Sequence, residues 1–294
     1  MKAGPVARAN RWMRQRLNVT IGVIPLWLVG MFVTVAWIAP FVWTISTSLK
    51  PASQIMTADI EWLPREVTFD SYVKVFEFHP ILRWLLNSVI VAGTTTTLCV
   101  LFSMMAGYAF TRLHFPGRDV FFAITLGSIM IPAQIALIPL YMAFLKLGFM
   151  NSYPSMIAPG VVSVVSVYIF RQFFMSLPGE LEDAAFIDGL GRMGVFWRIA
   201  VPLARAPLVA SAILAFTGNW NGYLWPLLMA FEEKMKTLAV GIAVFAPGYG
   251  GHSQLESFGP SMAAVTILSM PMLIAYLFLQ RYFVEGMTSG SIKG

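Results

Sequence analysis

Six stretches of this chain stay apolar for longer than the core helix of a soluble domain needs. They run roughly over 21–47, 86–110, 119–145, 154–175, 206–231 and 259–282. About 20 mostly apolar residues suffice to cross the hydrocarbon layer of a bilayer as a helix. Such a segment must be helical, because lipid offers no partner for exposed backbone N–H and C=O groups. The expected fold is therefore an all-α polytopic membrane protein with six transmembrane helices. Composition agrees: 57% of the 294 residues are hydrophobic and 12% charged, with a mean hydropathy of +0.72. A soluble domain carries about 25% charged residues. Pro132, Pro139 and Pro159 fall inside the third and fourth stretches and are read as kinks, since neighbours in a bundle can satisfy the freed carbonyls. The first apolar run is too long for a signal-peptide core and lacks a clear cleavage site, so it is read as a retained span.

Charge orients these spans. Lys2, Arg8, Arg11, Arg14 and Arg16 precede the first one with no acid among them, and basic residues collect on the cytoplasmic side. With the N-terminus inside, six crossings return the C-terminus inside. The inner segments and inner span ends then hold 13 of the 20 Lys and Arg, and the outer segments 7. Residues 1–20 are expected as a cytoplasmic segment and 21–282 as the transmembrane domain. A cytoplasmic loop at 176–205 lies within that domain, and 283–294 form a cytoplasmic tail. The outer connection 48–83 carries Tyr72, Val73, Val75 and Phe76 at a spacing that predicts a short surface helix. The net charge of +6 is read as this topology, because no basic cluster is interleaved with aromatics as nucleic-acid binding would need.

Several chemistries find no residues to carry them. No Asp, Glu, Lys or Arg lies deep in a span, where ion-coupled carriers usually keep their relays. A phosphate loop of the form G-x-x-x-x-G-K-[ST] is missing from the sequence, and no Ser/His/Asp or Cys/His constellation stands out. The chain is thus not expected to be an enzyme, and no catalytic residue is assigned. Cys99, the sole cysteine, is expected to be a small apolar packing residue. His79, His114 and His252 are far apart and make no metal site.

The loop between the fourth and fifth stretches is the most patterned polar part of the chain. Pro178 and Gly179 end the span, and Glu180, Glu182 and Asp183 fill a first helical turn, where acids complement the positive end of the helix dipole. Ala184 and Ala185 favour helix, and Asp188-Gly189 supplies a stop. A second helix is predicted with Val195, Phe196 and Ile199 on one face, Phe196 and Ile199 packing against the spans, and Pro202 and Pro207 just beyond. The first helix, roughly 8 residues or about 12 Å long, is too short to cross a membrane. On these residues alone it is either a connector lying on the lipid surface or a knob seated in another protein.

The run LEDAAFIDGLGRMGVFWRIAVPLARAP resembles the Glu-Ala-Ala coupling loop of permease subunits in ABC importers. Asp183-Ala184-Ala185, Asp188-Gly189 and Pro202 occupy the motif places. Asp183 stands where the family usually has Glu, with the charge kept and one methylene fewer. The blocks STSLKP at 46–51, IPAQIALIPLYMAFLKLGFMNSY at 131–153, GNWNGYLWPL at 218–227 and QRYFVEGMTSGSIKG at 280–294 resemble the carbohydrate-uptake branch, and within it the smaller maltose-type permease. The resemblance implies a bacterial inner-membrane location. It also implies a homologous permease partner, two ATPase subunits holding ATP and Mg, an extracytoplasmic solute-binding protein, and a sugar substrate. It assigns coupling to Glu182, Asp183, Ala184, Ala185, Asp188, Gly189 and Pro202. It assigns an ATPase contact to the tail residues Ser289, Gly290, Ser291 and Lys293, which would otherwise be a frayed end.

Sugars are held by aromatic faces and amides. Asn219, Trp220, Asn221 and Trp225, with Gln134 in the third stretch, are the candidates for a solute path. At helical spacing Asn221 and Trp225 would share a face. The alternative is structural, with amides joining helices and tryptophans at the interface. Two further readings of the chain stay open: a secondary carrier, and an ABC permease for glycerol phosphate or another polyol ester.

Overall fold

The computed structural model describes residues 5–55, 61–246 and 254–289, with side chains from Pro25 onward and, in the last helix, over 258–278. Every regular element among the described residues is helical. In chain order they are α1 (Pro5–Ser48), α2 (Ala52–Ile55), α3 (Asp70–Phe78), α4 (Ile81–Arg112), α5 (Arg118–Gly127), α6 (Ala133–Lys146), α7 (Tyr153–Ile157) and α8 (Val164–Ser176). There follow α9 (Glu180–Ile187), α10 (Arg192–Val195), α11 (Val201–Leu203), α12 (Arg205–Trp220), α13 (Leu224–Met229), α14 (Leu238–Gly241) and α15 (Gln254–Ser289).

Three of these helices contain a continuous segment long and apolar enough to cross a membrane: Pro25–Ser48, Ile81–Arg112 and Phe258–Phe278. The other apolar windows are broken. Arg118–Met130 meets Ala133–Lys146 at 99°, Tyr153–Gly160 meets Val164–Ser176 at 45°, and Arg192–Leu203 meets Arg205–Trp220 at 78°. The expectation of simple proline kinks therefore needs correction at Pro132. The residue before a proline is pushed out of helical conformation. Ile131 takes φ −89°, ψ 115°, and the chain turns a corner there. Pro139, by contrast, sits inside α6. The window 206–231 also divides, with α12 ending at Trp220 and α13 beginning at Leu224.

The boundaries expected near residues 20 and 283 do not appear as breaks, since α1 begins at Pro5 and α15 continues to Ser289. In the 48–83 connection the predicted helix is α3, but it is more than a surface element. Val75 is fully buried against Ile81, Trp84 and the α15 residues Ala263 and Ala264.

The bundle is organised around α4. It packs most extensively on α8 and α12 and supplies residues to all three buried clusters. Ile81, Trp84 and Ala92 join Trp220 and Leu238; Val91 joins Met156 and Met229; Val100, Met104 and Tyr108 join Phe170, Phe174 and Phe196. Cys99 is buried on the same helix, as expected of a packing residue. Gly107 lets α4 and α8 approach closely: a Cβ there would stand 2.7 Å from Phe170 Cβ and 2.9 Å from the Arg171 nitrogen. Arg171 lays its guanidinium 3.9 Å over the Phe122 ring at the edge of the bundle, a cation–π contact that also joins α5 to α8.

Gly93, on the same helix, has nothing within 4 Å of such a Cβ. Gly107→Ala is expected to destabilise the solubilised protein by about 1–3 kcal/mol through overpacking. Gly93→Ala should be neutral or slightly stabilising through helix propensity. Thermal unfolding of the two variants in one detergent checks the difference.

Candidate functional site

The 177–204 segment closes one end of the bundle. Its first helix, α9, has Glu180, Glu182 and Asp183 in its opening turn and ends as the glycine predicts. Gly189 adopts φ +83°, a conformation costly for any residue with a Cβ. Its N–H donates to the Phe186 carbonyl at 3.1 Å and the Leu190 N–H to the Ala185 carbonyl at 3.0 Å. These two bonds form the Schellman arrangement that terminates helices.

The faces of α9 divide its functional candidates. Glu182 and Ala185, three apart, point into the subunit. Ala185 is buried, and the Glu182 carboxylate sits 3.1 Å from Arg112 Nε at the end of α4, both side chains being largely buried. Arg112 also donates from Nη2 to the carbonyls of Phe174 (2.9 Å) and Leu177 (2.7 Å), the last turn of α8 and the residue beyond it. One guanidinium thus ties α4, α8 and α9 together. Asp183, Ala184, Asp188 and Gly189 lie on the exposed side, beside Phe186 and an Ile187 that is 86% exposed.

The predicted second helix divides into short turns, with Ile199 of its expected face only half-buried. Val195 and Phe196 are buried, and Phe196 packs edge-on against Tyr108 at 5.1 Å. A π-helical turn at Phe196–Ala200, which the sequence pattern did not reveal, leads into α11, where Pro202 is exposed. Met193 and Trp197 extend the exposed apolar surface begun by Phe186 and Ile187. The outcome is a small knob, anchored from below by Arg112 and the Phe196 cluster, whose outward side mixes the apolar Phe186, Ile187, Met193 and Trp197 with the charged Glu180, Asp183, Asp188 and Arg192.

The solute-path candidates are not brought together on one helix face. Asn221 caps α12 and donates to the Thr217 carbonyl at 3.1 Å, while Trp225 lies in α13 beyond the Gly222-Tyr223 break, so their expected shared face does not form. Trp220 is buried and donates its indole N–H to the Leu268 carbonyl at 3.0 Å. Trp225 donates to the Ser155 carbonyl at 2.8 Å and meets Phe144 edge-on. Both tryptophans use their polar atom to join helices. Asn219 bonds the Ala215 carbonyl at 2.7 Å and faces Gly160, where an added Cβ would lie 3.1 Å from its Oδ1. Gln134, in the first turn of α6, and Asn221 are exposed. Of the tail candidates, Ser289 ends the α15 backbone, and Gly290, Ser291 and Lys293 lie outside the described residues. Among the described residues, no group of three or more His, Cys, Asp or Glu is placed to hold a metal.

A second polar cluster, missed in the sequence, joins the opposite end. Asn87 is fully buried, donates to the carbonyls of Lys234 and Lys236 at 2.8 Å each, and accepts from the Tyr153 hydroxyl at 2.7 Å. An asparagine within an apolar run was the available signal.

The architecture agrees with a known structure. The fold superposes on a bacterial ABC transporter involved in the import of the acidic polysaccharide alginate with a TM-score of 0.81, at 20% identity, covering 91% of this chain and 98% of that one. In sequence, the chain is 36% identical over 274 residues to the arabinooligosaccharides transport system permease protein AraQ of Halalkalibacterium halodurans, spanning 91% of this chain and 96% of that protein. It is 34% identical over 258 residues to the trehalose transport system permease protein SugB of Mycobacterium tuberculosis, spanning 87% and 92%. Residues 99–289, which run from the middle of α4 through the knob to the end of α15, match the model of a family of transport proteins. The chain belongs to the family of binding-protein-dependent transport system inner membrane components.

Proposed function

We propose that this permease moves a sugar into the bacterial cytoplasm as one half of the membrane pore of an ABC importer. Its partners are a homologous permease, two ATPase subunits that hold ATP and Mg, and an extracytoplasmic solute-binding protein. The observation that carries the reading is the knob. A chain whose sequence contains no phosphate loop presents an anchored helix end whose exposed side combines Phe186 and Ile187 with the acids Glu180, Asp183 and Asp188. Exposed apolar surface of this kind marks a protein contact. The sugar class rests on the relatives, which are named for arabinooligosaccharide and trehalose transport and align over nearly the whole chain.

In this reading six spans cross the membrane, 118–146 and 153–176 each counting as one broken span and 206–231 as the fifth, with both termini in the cytoplasm. Asp183, Ala184, Asp188 and Gly189 are the docking surface. Glu182 and Ala185 hold the coupling helix to the spans, and Pro202 shapes the return of the chain. Closure of the ATPase pair on ATP would push the knob as a unit, and the tightly packed α4–α8–α12 core would pass on the movement as a rigid-body rotation. The exposed amides of Gln134 and Asn221 are the side chains available to a sugar hydroxyl, while Trp220, Trp225 and Asn219 support the path from behind. The tail, Ser289, Gly290, Ser291 and Lys293, reaches the ATPase interface.

Proteoliposomes holding the chain with its partner permease and ATPase subunits should take up labelled sugar only with ATP and binding protein. Uptake by the chain alone, without ATP, would establish a secondary carrier instead; preference for glycerol phosphate in the same vesicles would move the substrate to polyol esters. Gly189→Val forces a β-branched residue into a left-handed conformation at a cost of about 1–3 kcal/mol. It should lower binding-protein-stimulated ATPase activity while leaving membrane insertion unchanged; intact stimulation would remove the docking role. Deleting residues 289–294 should reduce uptake more than assembly, measured as uptake per mole of co-purified complex.

A further inference from the structure

We propose that α4 is the element that reports binding-protein docking to the coupling helix, with Asn87 and Arg112 as positioning residues at its two ends; this rests on the importer reading above.

The outer turn Glu233–Met235 and its flanks present exposed Phe231, Glu232, Glu233 and Lys234 side chains, yet their backbone is held firmly. Asn151 Oδ1 accepts from the N–H of both Phe231 (2.6 Å) and Glu232 (3.0 Å). The remaining ties go to α4. Trp84 donates its indole N–H to the Glu233 carbonyl at 2.7 Å, Asn87 donates to the carbonyls of Lys234 and Lys236, and Ser88 Oγ accepts from the Leu238 N–H at 2.8 Å. The Trp84 ring leaves no room for a Cβ on Gly241, which fixes α14 against the same helix. His79, just before α4, adds an Nδ1 contact to Glu233 Oε1 at 2.9 Å. These attachments are mostly to main-chain atoms, so the turn cannot shift without moving the first turns of α4.

At the other end of the same helix Arg112 grips Glu182 of α9 and the carbonyls that end the α8 segment. Asn87 and Arg112 are separated by about 37 Å at 1.5 Å per residue. Of the helices that contain the three continuous spans, α1 holds Pro25 and Pro40 and α15 holds Pro260 and Pro271, while α4 holds no proline. Kinks absorb displacement because they mark the lost hydrogen bonds of a helix. The unkinked helix that also joins all three cores transmits it. A tilt imposed on the outer turn therefore reaches the Glu182 carboxylate and rotates the knob.

The test uses the full complex and compares ATPase activity with and without liganded binding protein. Asn87→Ala is expected to keep basal ATPase activity and to lose about 5-fold of the stimulation, within the range by which residues on such networks alter coupling. Arg112→Gln should also lose stimulation, and the double variant should lose no more than the more impaired of the two single variants, because two breaks in one link are not additive. Tyr153→Phe, which leaves the ties between α4 and the turn intact, should remain stimulated as the wild type is. Wild-type stimulation in Asn87→Ala, or losses that multiply in the double variant, would overturn the proposal. Should Asn87→Ala not assemble, Trp84→Phe removes the single indole bond to Glu233 and is read by the same criteria. A wild-type complex that shows no stimulation at all would instead sink the importer reading, so the two failures are distinct.

Discussion

The close seating of α4 against α8 and α12 sets the geometry from which the rest of the molecule follows. Gly107 removes the side chain that would separate α4 from α8, and a Cβ on Gly160 would come 2.5 Å from Thr95 Cγ2. In lipid, where apolar burial offers little gain between helices, small residues and close backbone approach are what hold helices together. With α4 in that position, the breaks after Gly160 and at Ala204 are braced by it and the helices packed on it, whereas the corner at Ile131-Pro132 stays exposed. The knob at one end and the stitched turn at the other both take their position from it.

Much of this architecture could be read in the sequence, for a physical reason. Where the determinant is local, the reading holds. Hydrophobic length located the apolar segments; the acids, alanines and Asp188-Gly189 of the knob defined an eight-residue helix with a left-handed stop; Phe196 and Cys99 were recognisable as packing residues. Where the determinant is a contact between distant residues, the reading failed or was silent. Nothing near Glu182 announces that Arg112, seventy positions earlier, will hold it. Asn87 could not be distinguished from any other interhelical amide until Lys234, Lys236 and Tyr153 were seen around it. The Asn221–Trp225 face failed for an intermediate reason. Helical spacing assumes an uninterrupted helix, and the Gly222-Tyr223 break removes that assumption.

The functional candidates separate by what their polar atoms already do. Trp220, Trp225 and Asn219 have committed theirs to backbone carbonyls, those of the tryptophans on other spans, and so serve position. Asp183, Asp188 and Gln134 remain exposed, as does Asn221 although its Nδ2 donates to the Thr217 carbonyl. An ordering of this kind explains how a permease can be built largely from apolar residues yet remain specific in its contacts. Asn87, Trp220 and Trp225 are paired within the bundle, and a few other polar side chains stay exposed.

The corner at Ile131-Pro132 has an environmental consequence. A 99° turn between two apolar helices interrupts the backbone hydrogen-bond ladder, and hydrocarbon supplies nothing to replace it. A corner of this kind suits water or another protein better than acyl chains, so one bend bears on how the molecule is rotated within its bilayer.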